Sequence, residues 1–204
     1  MATYLDRQKW DLDRWPEMYA KLKELQLMIF LSPPGLELNM MTFTISSLAS
    51  GCRHCQAHGA FGLDRAGVPL EKIQALWRFE SADCFSDRER AALTLGLAAG
   101  ATPNAVTPEH HAELRRHFSD AEIAQILVQL CVGGWLNRWN DSLATVTDQE
   151  SLDWAMANLA VVGWDIGKHV GEPSEQRKGT PEQLRKMEKE AWERHQAQKQ
   201  AGAA

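Results

Sequence analysis

Cys52, His54, Cys55 and His58 are packed into one run, Gly51-Cys-Arg-His-Cys-Gln-Ala-His58. Two thiols at Cys-x-x-Cys spacing can cycle between dithiol and disulfide, and the thiolate is the form that attacks peroxides and disulfides. Imidazoles beside them can carry the protons. If Gly51 ends one helix and Cys52 opens the next, both thiols lie where free backbone N–H groups and the helix dipole favour an anion, which lowers a thiol pKa. Arg53 and His54 add positive charge there. At roughly 100° per residue, with His54 at zero, His58 falls near 40°, Cys55 near 100° and Cys52 near 160°. All four groups share one half of the helix, with Cys55 between the second thiol and the nearer imidazole.

Two other readings use the same residues. Zinc would take two thiolates and an imidazole, but a structural site needs a second knuckle and the sequence has none. Buried free cysteine is common, so an inert core pair is the other alternative. Cys84 and Cys131 lack redox spacing and are expected to be reduced core residues. His110-His111 opens a helix after Thr107-Pro108 and is expected in solvent. Asn137, Asn140 and Asp141 close a long apolar segment, where polar groups cap or bridge helices. Trp135 and Trp139, one turn apart, are expected as core or interface aromatics.

The elements that must position this run are helical throughout, since apolar residues recur every three or four positions and no strand alternation occurs. Helices are expected near 16 to 30, 36 to 49, 52 to 65, 69 to 78, 87 to 99, 108 to 117, 120 to 142 and 150 to 164. Ser86-Asp-Arg-Glu89, Ser119-Asp-Ala-Glu122 and Thr180-Pro-Glu-Gln183 read as capping boxes, and Phe118 with Ile123 as a hydrophobic staple. Ser32-Pro-Pro-Gly35, Ser50-Gly51, Gly67-Val-Pro69 and Gly100-Ala-Thr-Pro103 supply the breaks. Ile123 to Trp135, the longest apolar segment, reads as the central buried helix. A helical domain over 1–150 with a C-terminal helical extension over 151–204 is the expected organisation. The extension has a linker near 171–179 and a terminal helix bearing Leu184, Met187, Ala191 and Trp192 on one face.

Composition narrows the function classes. With 204 residues, 44% of them hydrophobic, the chain can bury its own core. Twenty-two Lys and Arg against 27 Asp and Glu leave a net charge of -5, which argues against a nucleic-acid partner. No apolar run suggests a signal peptide or a membrane span, so a cytoplasmic protein without a membrane partner is expected. No cofactor and no metal is expected.

The cysteine motif resembles that of the alkylhydroperoxidase D-like, peroxidase-related branch of the carboxymuconolactone decarboxylase family. The resemblance continues through Gly62-Leu-Asp-Arg-Ala-Gly-Val-Pro69, Phe85-Ser-Asp-Arg-Glu-Arg-Ala-Ala-Leu93, His117-Phe-Ser-Asp-Ala-Glu-Ile123 and Asn137-Arg-Trp-Asn-Asp141. It covers roughly residues 35 to 145 and implies an all-α, alkylhydroperoxidase D-like helical bundle. The implied activity is a thiol-dependent peroxidase in which Cys55 attacks a hydroperoxide and becomes a sulfenic acid. Cys52 assists as proton donor and then closes the disulfide, with His58 and His54 as the relay. An external dithiol, lipoyl-type or thioredoxin-like, would reduce the pair. The resemblance also implies a homo-oligomer, a trimer or hexamer. Two positions depart from the pattern: Gly59 stands where the relay histidine often lies, and Met40 where its glutamate does, with Glu37 three residues earlier. A different class within the resemblance is a cofactor-independent decarboxylase or lyase of small carboxylated compounds, using His54, His58 and Arg53 without thiol redox. A third is a non-catalytic assembly protein.

Overall fold

The computed structural model of the chain describes residues 15–172 and, farther on, positions 186, 189, 190, 192, 193, 196, 197, 200 and 201. Residues 15–172 form eight α-helices and no strand: α1 (Pro16–Phe30), α2 (Leu36–Ser50), α3 (Arg53–Arg65), α4 (Leu70–Ala75), α5 (Asp87–Gly100), α6 (Pro108–Arg115), α7 (Asp120–Leu143) and α8 (Gln149–Leu159). The linker at 173–179, the capping box at 180–183 and the apolar positions 184, 187 and 191 lie outside the described residues.

The caps act as their sequences imply. The Glu89 carboxylate accepts from the Ser86 backbone N–H at 2.8 Å while the Glu89 N–H reaches the Ser86 hydroxyl at 3.3 Å. Ser119 and Glu122 repeat the exchange at 2.9 and 3.3 Å. Phe118 and Ile123 are both buried across that cap. Helix α8 stops earlier than expected. Residues Ala160–Val162 tighten into a 3-10 turn, Gly163 takes a left-handed φ of 78°, and the Trp164 N–H returns to the Leu159 carbonyl at 3.2 Å. A glycine C-cap of this kind ends a helix without a Cβ penalty.

The central helix is α2 rather than α7. Helix α2 packs against α1, α3, α5 and α7, and Met41 through Ser47 are buried without interruption. Its sequence hides this, because Thr42, Thr44, Ser46 and Ser47 look like surface residues. Each hydroxyl instead donates to a carbonyl three or four residues back: Thr42 to Leu38 and Asn39, Thr44 to Met40, and Ser46 and Ser47 to Phe43. A polar group satisfied within its own helix can enter a core at little cost. Helix α7 buries one face only, through Ile123, Ile126, Leu130 and Asn137, and its outer face leaves Val128, Cys131 and Trp135 exposed. The expectation that Cys84 and Cys131 are core residues is thereby corrected: Cys131 falls on that outer face, and Cys84, in the turn before α5, is exposed as well. His110 and His111 are half-buried rather than in open solvent, and His110 Nδ1 accepts from the Thr107 N–H at 3.1 Å as part of the α6 cap.

Packing is closest between α2 and α5. Gly96 and Gly100 face Thr42 and Ser46, and a Cβ at Gly96 would stand 3.2 Å from the Thr42 carbonyl oxygen. At Gly100 it would overlap the Ser46 backbone. Leu93 and Leu95 of α5, Leu63 of α3, Ile45 of α2 and Leu159 of α8 are all at most 1% exposed, each contributing about 1.5–3 kcal/mol by burial. Helix α8 packs on α3 and α4, and Leu159 and Trp164 join the same core as α2 and α3. Gly100→Ala is expected to destabilise the protein by about 1–3 kcal/mol, because backbone on both sides must separate. Urea unfolding would check this against Gly134→Ala, where a Cβ meets nothing within 4 Å.

Candidate active site

Gly51 builds the dithiol. With φ of 80° it ends α2 in the left-handed conformation, its N–H returning to the Leu48 carbonyl and that of Cys52 to the Ser47 carbonyl, both at 3.2 Å. This double return is the glycine-terminated helix end that satisfies orphan carbonyls. Cys52 is also the residue that opens α3: its backbone is extended and its carbonyl accepts the Gln56 N–H at 3.0 Å. One residue therefore closes one helix and starts the next, and its side chain is fully buried at the junction. Cys55 follows on the first turn and is 2% exposed.

The two sulfurs differ in what surrounds them. Cys55 lines a cavity of about 350 Å³, whose walls include Phe30, Phe43, Leu136, Trp135 and Trp139, with His54 and His58 at its polar side. Trp135 and Trp139 stack with centroids 5.2 Å apart. Asn140 Nδ2 approaches the Cys55 sulfur at 3.7 Å and donates to the Leu136 carbonyl at 3.0 Å. Cys52 does not line this cavity. It faces away, toward His169 and Asp141, and its sulfur, an Asp141 carboxylate oxygen and a His169 ring nitrogen lie within 4.8 Å of one another.

The charge of the reduced pair follows from these surroundings. A hydrogen bond from Cys55 brings the Cys52 thiol down to about 6 against the opposing effect of burial, and the hydrogen bond and positive charge of His169 assist. Burial pushes the Cys55 thiol up, and so does its hydrogen bond to the Cys52 thiolate. Although burial disfavours its charge, His169 is raised by the Cys52 thiolate, the Thr145 carbonyl and Asp141. These surroundings favour negative charge on Cys52, away from the cavity, over charge on Cys55.

The two histidines expected from the motif line the cavity together. Their rings lie 4.2 Å apart. His58 Nδ1 meets the His54 carbonyl oxygen at 2.9 Å and its Nε2 meets Asp148 at 2.6 Å, while His54 Nδ1 meets the Thr147 hydroxyl at 3.1 Å. The carboxylate beside His58 is that of Asp148, ahead of α8, and not one at position 40, which is Met. Asp148 also accepts the Ser151 N–H at 3.0 Å as the N-cap of α8. Burial opposes its charge, yet the His58 hydrogen bond and the Ser151 N–H hold its carboxyl well below the usual carboxylate range.

Four groups were missed or placed elsewhere by the sequence. Asp148 carries a readable signal, an Asp cap ahead of Gln149-Glu-Ser151, though nothing links it to His58. Asp141 and Asn140 bridge helices as expected, and both also reach the dithiol. His169 has no signal at all. It sits in the short 3-10 turn Gly167–His169, 1% exposed, with its Nδ1 2.8 Å from the Thr145 carbonyl oxygen. Cys52, Asp141 and His169 have the donor types of a soft cation site. The Lys168 ammonium, 2.7 Å from Asp141, sets a positive charge against a divalent ion there, and the three groups form an ion-pair set instead.

No family model and no curated protein matches the chain. Solved structures do. A cysteine-to-alanine variant of the debrominase Bmp8, in complex with 2,3,4-tribromopyrrole, is similar at 26% identity over 74% of this chain and 79% of that one, with a TM-score of 0.67. A protein of unknown function from Agrobacterium tumefaciens, carrying the name AhpD for antioxidant defence, is similar at 20% identity over 70% of this chain and 97% of the other, with a TM-score of 0.65. The alkylhydroperoxidase AhpD core of an uncharacterized peroxidase-related protein from Ralstonia eutropha JMP134 is similar at 22% identity, covering 69% and 75%, with a TM-score of 0.60. Among the described residues no helix is long and apolar enough to cross a membrane.

The depressed Asp148 carboxyl has a signed consequence for stability. A carboxyl whose folded pKa lies below its unfolded value stabilises the protein above the ordinary carboxylate range and loses that contribution as pH falls. Asn caps a helix as well as Asp does, so Asp148→Asn isolates the charge. The variant is expected to be less stable than the parent at pH 7 and to lose less stability between about pH 5 and about pH 2, as measured by urea unfolding across that range.

Proposed function

We propose that this chain, which has the alkylhydroperoxidase D-like fold, is a dithiol oxidoreductase that reduces an organic hydroperoxide. The observation that carries the reading is a sulfur, Cys55, at the wall of an apolar cavity with a second buried sulfur hydrogen-bonded behind it. An aromatic wall favours an alkyl or aryl group on the peroxide over hydrogen peroxide itself.

In this reading the proton of Cys55 passes to Cys52 as substrate enters, and the Cys55 thiolate attacks the terminal peroxide oxygen. The O–O bond breaks, the alkoxide takes the proton back from Cys52 and leaves as alcohol, and Cys55 becomes a sulfenic acid. Cys52 then attacks the Cys55 sulfur, the S–S bond forms, and the departing hydroxide takes a proton to become water. His58, oriented by Asp148, and His54 stand on the cavity side to bind the peroxide oxygens and move protons. An external dithiol of the lipoyl or thioredoxin type restores the reduced pair. The outer face of α7, with Val128, Cys131 and Trp135 exposed, suits contact between copies in the homo-oligomer this reading includes.

A second reading is favoured by the similarity to the debrominase, at a higher identity than the peroxidase-related structures. The same dithiol could replace a halogen on a small aromatic ring by hydrogen, yielding halide, a proton and the disulfide. The lyase alternative is less well served, since Arg53 reaches toward Asp165 at 3.7 Å and does not line the cavity.

Reduced protein mixed with cumene hydroperoxide is expected to lose two hydrogens by intact mass and to form one alcohol per disulfide. Cys55→Ser is expected to abolish consumption, and Cys52→Ser, which lacks the acceptor for the Cys55 proton, to react more slowly and to stop at a sulfenic acid that dimedone traps. Unchanged consumption in Cys55→Ser would overturn the reading. Inertness to hydroperoxide with halide release from a brominated pyrrole would move it to reductive dehalogenation.

A further inference from the structure

The two sulfurs have different surroundings. Cys55 faces the cavity, whereas Cys52 lies behind it, fully buried, against His169 and Asp141. A thiolate away from solvent needs a partner of opposite charge. His58 is engaged by Asp148 and the His54 carbonyl, and His54 meets the Thr147 hydroxyl. The imidazole that stands with Asp141 against the Cys52 sulfur is His169. It comes from outside the motif, from the turn that follows α8.

His169 is held for this contact. Its Nδ1 meets the Thr145 carbonyl oxygen at 2.8 Å, which turns Nε2 toward Cys52 and toward Asp141 Oδ1 at 3.4 Å. The His169 carbonyl in turn accepts the Thr147 N–H at 3.0 Å, so the turn at Gly167–His169 is tied to the segment after α7. Asp141 is fixed from its other oxygen by Lys168 at 2.7 Å. The ionisable groups around Cys52 are therefore Cys55 and His54 from α3, Asp141 from α7, and His169 and Lys168 from the closing turn. Arg53 turns away to Asp165.

We infer that His169, oriented by the Thr145 carbonyl and Asp141, is a catalytic residue for Cys52: its imidazolium pairs with the buried sulfur and holds it as the thiolate that closes the disulfide. This rests on the dithiol reading above. The balance is complete: the Cys52 thiolate attacks the Cys55 sulfenic acid, the S–S bond forms as the S–O bond breaks, and the hydroxide, leaving opposite the attacking sulfur on the cavity side, takes a proton there to become water, while the imidazolium, left without its anion, releases one. The two sulfurs thus have separate His–Asp pairs, His58–Asp148 on the cavity side and His169–Asp141 behind.

The test is a pH titration of thiolate ultraviolet absorbance on the reduced full chain. It uses no oxidant, so it fails or succeeds independently of whether hydroperoxide is the substrate. The parent is expected to show one low thiolate step that Cys52→Ser removes. His169→Asn is expected to raise that step by at least about one pH unit, a tenfold loss of thiolate below it. Asp141→Asn removes a support of the imidazolium and also a like charge from beside the sulfur, so the His169 variants read the pairing. His169→Gln is expected to raise the step as well, and it decides the matter if His169→Asn does not fold. A step unmoved in both His169 variants, or one that persists in Cys52→Ser, would overturn the inference.

Discussion

The site depends on two buried sulfurs set side by side, one of which meets the cavity while the other lies behind it. A thiolate out of water is costly unless hydrogen bonds and a positive charge surround it. Cys52 has both, from Cys55 and His169. The arrangement separates two tasks that a single exposed cysteine would combine. Cys55 meets the cavity, and the surroundings of Cys52 favour the charge on the sulfur behind it. In the proposed reaction, chemistry at Cys55 begins with a proton moving between the neighbouring sulfurs.

That charge can be held only because the backbone around it is already satisfied. Gly51 turns the chain between α2 and α3 so tightly that Cys52 serves both helices. Behind it, α2 lies buried with its hydroxyls bonded to its own carbonyls, and Ser47 also bonds Asn137 of α7 at 2.8 Å. Gln56 reinforces the junction by donating to the Ser47 carbonyl at 3.0 Å. Small residues on α5 let that helix close on α2. A rigid dense frame of this kind keeps catalytic side chains in place.

The remaining polar groups arrive from the segment after α7. Ala144, at a left-handed φ of 49°, ends that helix and turns the chain back. Thr147 and Asp148 then fall beside His54 and His58, and the later turn at His169 falls beside Cys52. The motif on α3 is therefore covered by residues from a part of the chain that the family resemblance, over roughly 35 to 145, does not reach.

Local signals in the sequence were enough for the helices, their caps and the grouping of the Cys-x-x-Cys run with its histidines. Spacing of apolar residues and the Ser–Glu caps depend on neighbours three or four positions apart, and such contacts are written in the chain itself. The same holds for Cys52, His54, Cys55 and His58, which one helix start brings together. The burial of α2 was not legible, because its serines and threonines look polar until their bonds to their own helix are seen. The exposure of Cys131 depends on which face of α7 meets the core, and the roles of Asp148, Asp141 and His169 depend on a chain reversal at Ala144. Those were decided by tertiary structure alone, since the groups that set the charge on each sulfur are distant in sequence and meet only when α7, α8 and the closing turn pack onto α3.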